Sequence, residues 1–142
     1  MLRKYHAEDV DQVLEIWLSA SIQAHSFVEP AFWASKLEDM RNLYLPASET
    51  RVFENASGIA GFYSLFNDTL AAIFVSPEYQ GKGIGTALLN DAKRKRQVLH
   101  LTVYKANHSS ISFYEKQGFV VMGEQIDEHT GYPELVMEYC IY

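Results

Sequence analysis

The chain has 142 residues, 48% of them apolar and 21% charged, with a net charge of −6. That length suits one domain with its own core, and that composition excludes a disordered chain. The acidic excess leaves no basic surplus to neutralise phosphates, which argues against nucleic acid as a partner, and it is compatible with a cationic substrate such as an amine. Cys140 is the single cysteine, so an internal disulfide framework and a cysteine-only metal cluster are excluded. The N-terminus has no apolar signal core and no stretch reaches 18 apolar residues, so the expected location is cytoplasmic, with no membrane partner.

Residues 2–5 read as a first strand. Glu8 and Asp9 place acids where they favour the dipole of a first helix, and Val10, Val13, Leu14, Trp17 and Leu18 recur at helical spacing. His25-Ser26-Phe27-Val28-Glu29-Pro30 reads as a loop. Pro30 then begins a second helix through Phe32, Trp33, Leu37, Met40 and Leu43, ending before Pro46. The period changes to two for strands at 50–54, 59–66 and 69–75, joined by turns at 55–58 and Asn67-Asp68, an expected antiparallel meander. Ile84, Ala87, Leu88 and Ala92 mark a third helix lasting to about residue 97, and 98–104 is a further strand. Residues 107–118 are loop plus helix, stopped by Gly118. Strands at 119–125 and 134–141 close the chain around a polar loop at 127–133.

The order β-α-α-β-β-β-α-β-α-β-β predicts a mixed α/β (α+β) fold, one domain over residues 1–142, with its sheet covered on both faces. The strand–helix–strand unit over 69–104 should be a right-handed crossover with parallel strands. Ligands sit at the carboxyl ends of such strands, which puts the loop after residue 75 and residues 104–107 at one edge.

That loop is the most informative stretch. Val75-Ser76-Pro77 ends an apolar run, Gln80-Gly81-Lys82-Gly83-Ile84-Gly85-Thr86 follows, and a helix begins. Glycines let successive N–H groups converge, and the helix adds its unpaired N–H groups and dipole, so an anion carrying phosphates is expected here. The dinucleotide fingerprint G-x-G-x-x-G fails at Thr86, and the triphosphate loop fails because Gly81-Lys82 is followed by Gly83. Q-x-x-G-x-G fits, as Gln80, Gly83 and Gly85 after a V-x-P turn. This resembles the acetyl-coenzyme A pyrophosphate loop of the GNAT N-acetyltransferases. A second block, from Asn107 to Phe119, resembles the family's N-x-x-[AS]-x-x-F-Y-x-x-x-G-F segment, in the family's order and one helix and one strand further on.

The resemblance, to the small single-domain bacterial type, implies the GNAT fold: a central mixed, mostly antiparallel sheet of about seven strands flanked by four helices. It implies acetyl transfer from acetyl-coenzyme A to a primary amine, on a small molecule or on a protein lysine or N-terminus, with no metal. By position, the backbone of Ile73, Phe74 and Val75, on a bulged strand, would pair with the pantetheine arm. The N–H groups of Gly81, Lys82, Gly83, Ile84, Gly85 and Thr86 would hold the pyrophosphate, bordered by Gln80. Asn107 would bond the pantetheine arm, and Ser110, Phe113 and Tyr114 would line its far wall.

Amine chemistry sets further requirements. A lysine-like amine has a pKa near ~10.4, so its proton must be removed or its neutral minority bound. Attack on the thioester builds an oxyanion, for which the N–H of Val75 is the expected donor. The departing thiolate needs a proton. Tyr114, a phenol of ordinary pKa near ~10 at the family's proton-donor position, is the expected general acid. The base stays open between ordered water and Glu29, His25, Asp68 or His129. An acceptor pocket is expected from the loop between the first two helices and the loop at 127–133, with His25, Phe27, Glu29, Trp33, Tyr63, Tyr104 and Tyr132 as candidates. The run Lys93-Arg94-Lys95-Arg96 reads as helix-end placement rather than a phosphate site. The competing function is a non-catalytic acyl-coenzyme A-binding regulator; retention of Tyr114 beside a complete loop favours the enzyme, as a monomer or homodimer.

Overall fold

In the computed structural model, which describes residues 1–141, seven strands form one sheet: β1 (Leu2–Lys4), β2 (Glu49–Asn55), β3 (Gly58–Phe66), β4 (Thr69–Val75), β5 (Val98–Tyr104), β6 (Val120–Ile126) and β7 (Pro133–Cys140). Their spatial order is β1-β2-β3-β4-β5-β7-β6. Every pairing is antiparallel except β4 with β5, which is parallel as the crossover required. The helices are α1 (Val10–Ala24), an interrupted path made of α2 (Pro30–Ser35), α3 (Leu37–Asp39), a π-helical stretch (Met40–Tyr44) and α4 (Leu45–Ala47), then α5 (Ile84–Lys95) and α6 (His108–Lys116). Taking the interrupted path as one, four helical segments flank the sheet.

One boundary differs from expectation. The second helix does not stop before Pro46; the chain passes through Pro46 inside α4. The π-helical stretch just before it has shifted the hydrogen-bond register from i→i−4 to a wider turn, so that a residue without an N–H is accommodated instead of breaking the path.

Alternation along the strands sends side chains to two cores. Phe62 packs on one face with Val13, Leu14 and Trp17 of α1, together with Trp33, Met40 and Leu45. Its neighbour Tyr63 packs on the other with Leu88, Leu89 and Ala92 of α5 and with Phe119 and Met137. The sheet is therefore covered on both faces. The basic run at the end of α5 is engaged structurally: Lys93 donates to the Gln117 carbonyl, Arg94 pairs with Asp91, and Arg96 pairs with Glu49.

The feature that positions the site is an opening within the sheet. Pairing of β4 with β5 is confined to Thr69↔His100, at the start of β4. Ser64 opposes Ala72 while Leu65 opposes Leu70, so Ala71 is an extra residue, a bulge on β4. Beyond it the two strands splay.

Candidate active site

The splay leaves β4 with an unpaired inner edge. Ser76 N–H donates to the Ala60 carbonyl at 2.8 Å, and the register runs Gly61↔Val75, Phe62↔Phe74, Tyr63↔Ile73. Hydrogen-bonded pairs alternate in an antiparallel ladder, so Phe74 bonds to β3, while the N–H and C=O groups of Ile73 and Val75 face the gap. An extended chain inserted there would find a strand's worth of donors and acceptors. The Val75 carbonyl already accepts from Gln80 Nε2 at 3.1 Å, a bond that ties the following loop to the strand.

The loop then turns into α5. Gly81 and Gly83 have φ of 79° and 83°, and Gly83 is the residue immediately before the helix. The first helical N–H with an intrahelical partner is that of Ala87, bonded to the Gly83 carbonyl. The N–H groups of Ile84, Gly85 and Thr86 thus lack intrahelical acceptors and sit at the positive end of a 12-residue helix. A Cβ placed on Gly81 or Gly83 would meet no atom within 4 Å, so the concavity above them is open to a ligand. Lys82 is exposed, with its ammonium 5.6 Å from the centre of the Tyr79 ring.

Both features open into one cleft of about 1100 Å³. Leu70–Val75 of β4 and Leu101–Tyr104 of β5 line it, with Gln80, Gly81, Gly83, Ile84, Gly85 and Thr86, and with Asn107, Ser110, Phe113 and Tyr114 from the second sequence block. Asn107 caps α6, its Oδ1 accepting from Ser110 N–H at 3.3 Å. That bond fixes the amide, so its Nδ2 is the atom 3.4 Å from His25 Nε2. Because Nδ2 only donates, His25 Nε2 accepts, and the imidazole is neutral with its proton on Nδ1. Burial pushes the His25 pKa down, in agreement. Tyr114 packs against Phe113 and Phe119, and its hydroxyl has no hydrogen-bond partner among the described residues. Desolvation raises its pKa, so it stays protonated.

A second cavity of about 780 Å³ lies against the first. Phe32, Lys36, Met40, Leu43 and Tyr44 from the interrupted helical path line it, with Phe66 and His129. Trp17, Trp33, Ala71, Ala72, Thr102, Tyr104 and Asp127 line both cavities and so mark where the splayed sheet joins them.

Several acceptor candidates do meet here. Trp33 and Tyr104 stand at the junction, with ring centroids 6.4 Å apart, and His25 packs 5.0 Å from Tyr104. Phe27 and Tyr132 lie beside them, 4.9 Å apart, and the Tyr132 hydroxyl donates to the Phe27 carbonyl; neither lines either of these two cavities. Two candidates lie apart from both cavities. Tyr63 is fully buried on the α5 face, where its hydroxyl donates to Asp91 at 2.6 Å, because strand alternation turns it away from α1. Glu29 is exposed just before α2 and lines neither cavity, since Pro30 carries the chain straight into the helix. Of the other candidate bases, Asp68 lies in the exposed β3–β4 turn outside both cavities, while His129 lines the second.

Asp127 was not among the sequence candidates. It opens the polar loop after β6, where its Oδ2 accepts from the Tyr104 hydroxyl and from Thr130 Oγ1, and its Oδ1 from His129 N–H. These bonds outweigh its burial and hold its pKa below the ordinary carboxylate value, while the Tyr104 phenol is pushed up. The only sequence signal was an acid at the end of a strand, which is too common to single it out.

A sheet splayed at a bulged fourth strand, with a glycine loop and helix N-terminus at its mouth, defines the acetyltransferase class. The chain belongs to the GNAT family: the model of the acetyltransferase (GNAT) domain matches residues 46–121. It is 30% identical over 142 residues to the peptidyl-lysine N-acetyltransferase YiaC of Escherichia coli, covering 99% of this chain and 97% of that one. The peptidyl-lysine N-acetyltransferase YjaB of E. coli is 28% identical over 97% of this chain and 95% of its own. The solution structure of apo YjaB superposes with a TM-score of 0.86, at 26% identity, over 98% of this chain and 96% of that chain. PaiA N-acetyltransferase from Thermoplasma acidophilum, in complex with coenzyme A, shares the fold at a TM-score of 0.78 and 22% identity, over 99% of this chain and 98% of that chain. The chain is an acyltransferase of this family that transfers acetyl groups to amines, and the open phosphate cradle and unpaired β4 edge fit acetyl-coenzyme A as its donor. Among the described residues, no helix is long and apolar enough to cross a membrane.

Proposed function

We propose that this protein transfers the acetyl group of acetyl-coenzyme A directly to a lysine side chain of a protein or peptide, with Tyr114 as general acid. The observation that carries the acid assignment is the Tyr114 hydroxyl, unpartnered among the described residues, in the cleft that also exposes the edge of β4. The lysine assignment draws on two relatives aligned over nearly the whole chain, both named as peptidyl-lysine acetyltransferases.

The pyrophosphate lies on the N–H groups of residues 81–86, and the pantetheine arm adds to the free edge of β4 at Ile73 and Val75. Asn107, Ser110, Phe113 and Tyr114 form the opposite wall. The neutral amine attacks the thioester carbonyl carbon, and the Val75 N–H stabilises the negative charge that develops on its oxygen. The new C–N bond forms as the C–S bond breaks, the sulfur takes the Tyr114 proton, and the proton shed by the attacking nitrogen passes to water, from which the phenol is reprotonated. Burial keeps the phenol protonated, and it gives up that proton only when the departing thiolate, a far better acceptor than the thioester sulfur, is created beside it.

The test is release of free coenzyme A thiol from acetyl-coenzyme A in the presence of lysine-containing peptides, with mass detection of the acetylated product. Turnover with modification confined to lysine is the expected result. Tight binding of acetyl-coenzyme A with no turnover on any peptide or small amine would instead favour a non-catalytic acyl-coenzyme A-binding regulator.

A further inference from the structure

The residues shared by the two cavities include three aromatic side chains and one acid. Among the described residues, Asp127 is the single carboxylate that lines both cavities; Glu134 lines only the first and accepts from Gln125 at 2.8 Å. One lysine and one histidine also line the second cavity. Lys36 has its ammonium 5.4 Å from the Phe32 ring centre, and His129 is exposed in the loop that begins with Asp127.

The carboxylate of Asp127 is held but not saturated. An ionised carboxylate offers about four acceptor positions. Tyr104 and Thr130 fill two on Oδ2, and His129 N–H fills one on Oδ1. One acceptor position on Oδ1 is left over. The rings of Trp33 and Tyr104, 6.4 Å apart, line the same junction, with Trp17 6.0 Å from Trp33. A carboxylate with a free lone pair beside aromatic faces is complementary to an ammonium on an aliphatic stem. The second cavity beyond it is largely apolar, lined by Phe32, Met40, Leu43, Tyr44 and Phe66, and suits the uncharged flanks of the segment that carries the amine.

We infer that Asp127 is the specificity residue for the acceptor: it binds the protonated lysine at the passage between the cavities, fixed in position by the Tyr104 hydroxyl. The peptide around that lysine enters through the second cavity and presents apolar neighbours to it. This rests on the lysine-acetylation reading above. Asp127 binds the amine before its proton is lost, so it governs acceptor affinity and leaves acetyl-coenzyme A affinity alone.

Binding is read by calorimetry on protein saturated with coenzyme A, using Nα-acetyl-lysine methylamide and its uncharged norleucine counterpart as probes. The wild type should bind the lysine probe at least about tenfold more tightly, the discrimination expected of a charge-assisted hydrogen bond. Asp127→Asn should abolish that preference, and Tyr104→Phe, which keeps the carboxylate, should retain most of it. In peptide turnover, Asp127→Asn should raise KM for the peptide about tenfold or more with little change in the KM for acetyl-coenzyme A. Equal binding of the two probes by the wild type would overturn the inference even if the asparagine variant failed to fold. Acetylation of a lysine peptide by the wild type, with an unchanged peptide KM in Asp127→Asn, would overturn the anchor and leave lysine acetylation standing. Selective ammonium binding without acetylation of any peptide would support the anchor and refute the lysine reading.

Discussion

The donor half and the acceptor half of the cleft are built from different materials. The donor half is mostly backbone: the free edge of β4 at Ile73 and Val75, and the loop and first turn of α5. Its ligand is held by N–H groups, whose positions follow from the register and from a few glycines. The acceptor half is side chains drawn from distant parts of the chain: Trp17 from α1, Trp33 from α2, Tyr104 from β5 and Asp127 from the loop before β7. A backbone site tolerates sequence change wherever the backbone geometry survives. A side-chain site changes its ligand with each substitution. The family can therefore keep one acetyl donor while its acceptors diverge.

The largest test of that division lies where the halves meet chemically. Tyr114→Phe should lower kcat by about 10²–10⁴-fold while affinity for acetyl-coenzyme A holds, because the ring remains and only the proton is lost. Stopped-time thiol assays across pH would measure it, and an identical pH–rate profile in the variant would remove Tyr114 as the acid. Next in size is Gly83→Val. Added atoms would meet nothing of the protein, but φ of 83° is strained for a β-branched residue and its methyl groups would project into the open cradle. Acetyl-coenzyme A affinity by calorimetry should fall at least about tenfold, with the circular dichroism of the fold unchanged. Wild-type affinity in this variant would mean that the phosphates lie elsewhere.

The same division explains what could be read from the sequence. The loop at 80–86 and the block from Asn107 to Phe119 are contiguous, and their chemistry depends on local spacing, so both were legible. So were the strands, because the change of period at residue 50 and the turns at 55–58 and 67–68 are local signals. The passage of the chain through Pro46 was not legible, since the shifted hydrogen-bond register of residues 40–44 leaves no mark in composition. The face that Tyr63 occupies was not legible for a related reason: a buried aromatic on a strand looks the same from either face until the register is known. Asp127 could not be found, because its importance comes from Tyr104, 23 residues away in sequence.

Tyr63 offers the next test. Tyr63→Phe should cost about 0.5–1.5 kcal/mol in urea unfolding, the net worth of one buried hydrogen bond, because Asp91 keeps Arg51 and Arg94 as partners. Acceptor KM should not move. A changed acceptor KM would bring this face of β3 back into the acceptor site and erase the boundary between the halves.

The smallest expected effect concerns His25, where the two halves touch through Asn107. Its folded-state pKa lies below its ordinary value because burial disfavours the imidazolium. As pH falls through the ordinary histidine range, near ~6.5, the unfolded chain takes up a proton that the folded chain refuses, so the unfolded state binds more protons and stability declines. The decline continues until the pH passes below the depressed folded value. Stability is complete above the histidine range, where both states are neutral. Urea midpoints should therefore drop modestly between about pH 7.5 and 5.5 in the wild type. His25→Gln, which retains an acceptor for Asn107 Nδ2, should flatten that drop. Once protonated, below its depressed folded value, Nε2 could no longer accept from Asn107, so acid beyond that point should loosen the cap of α6 and weaken the wall of the donor site. Acetyl-coenzyme A affinity that weakens with acid in the wild type, but less so in His25→Gln, would show the acceptor half acting on the donor half through this one contact.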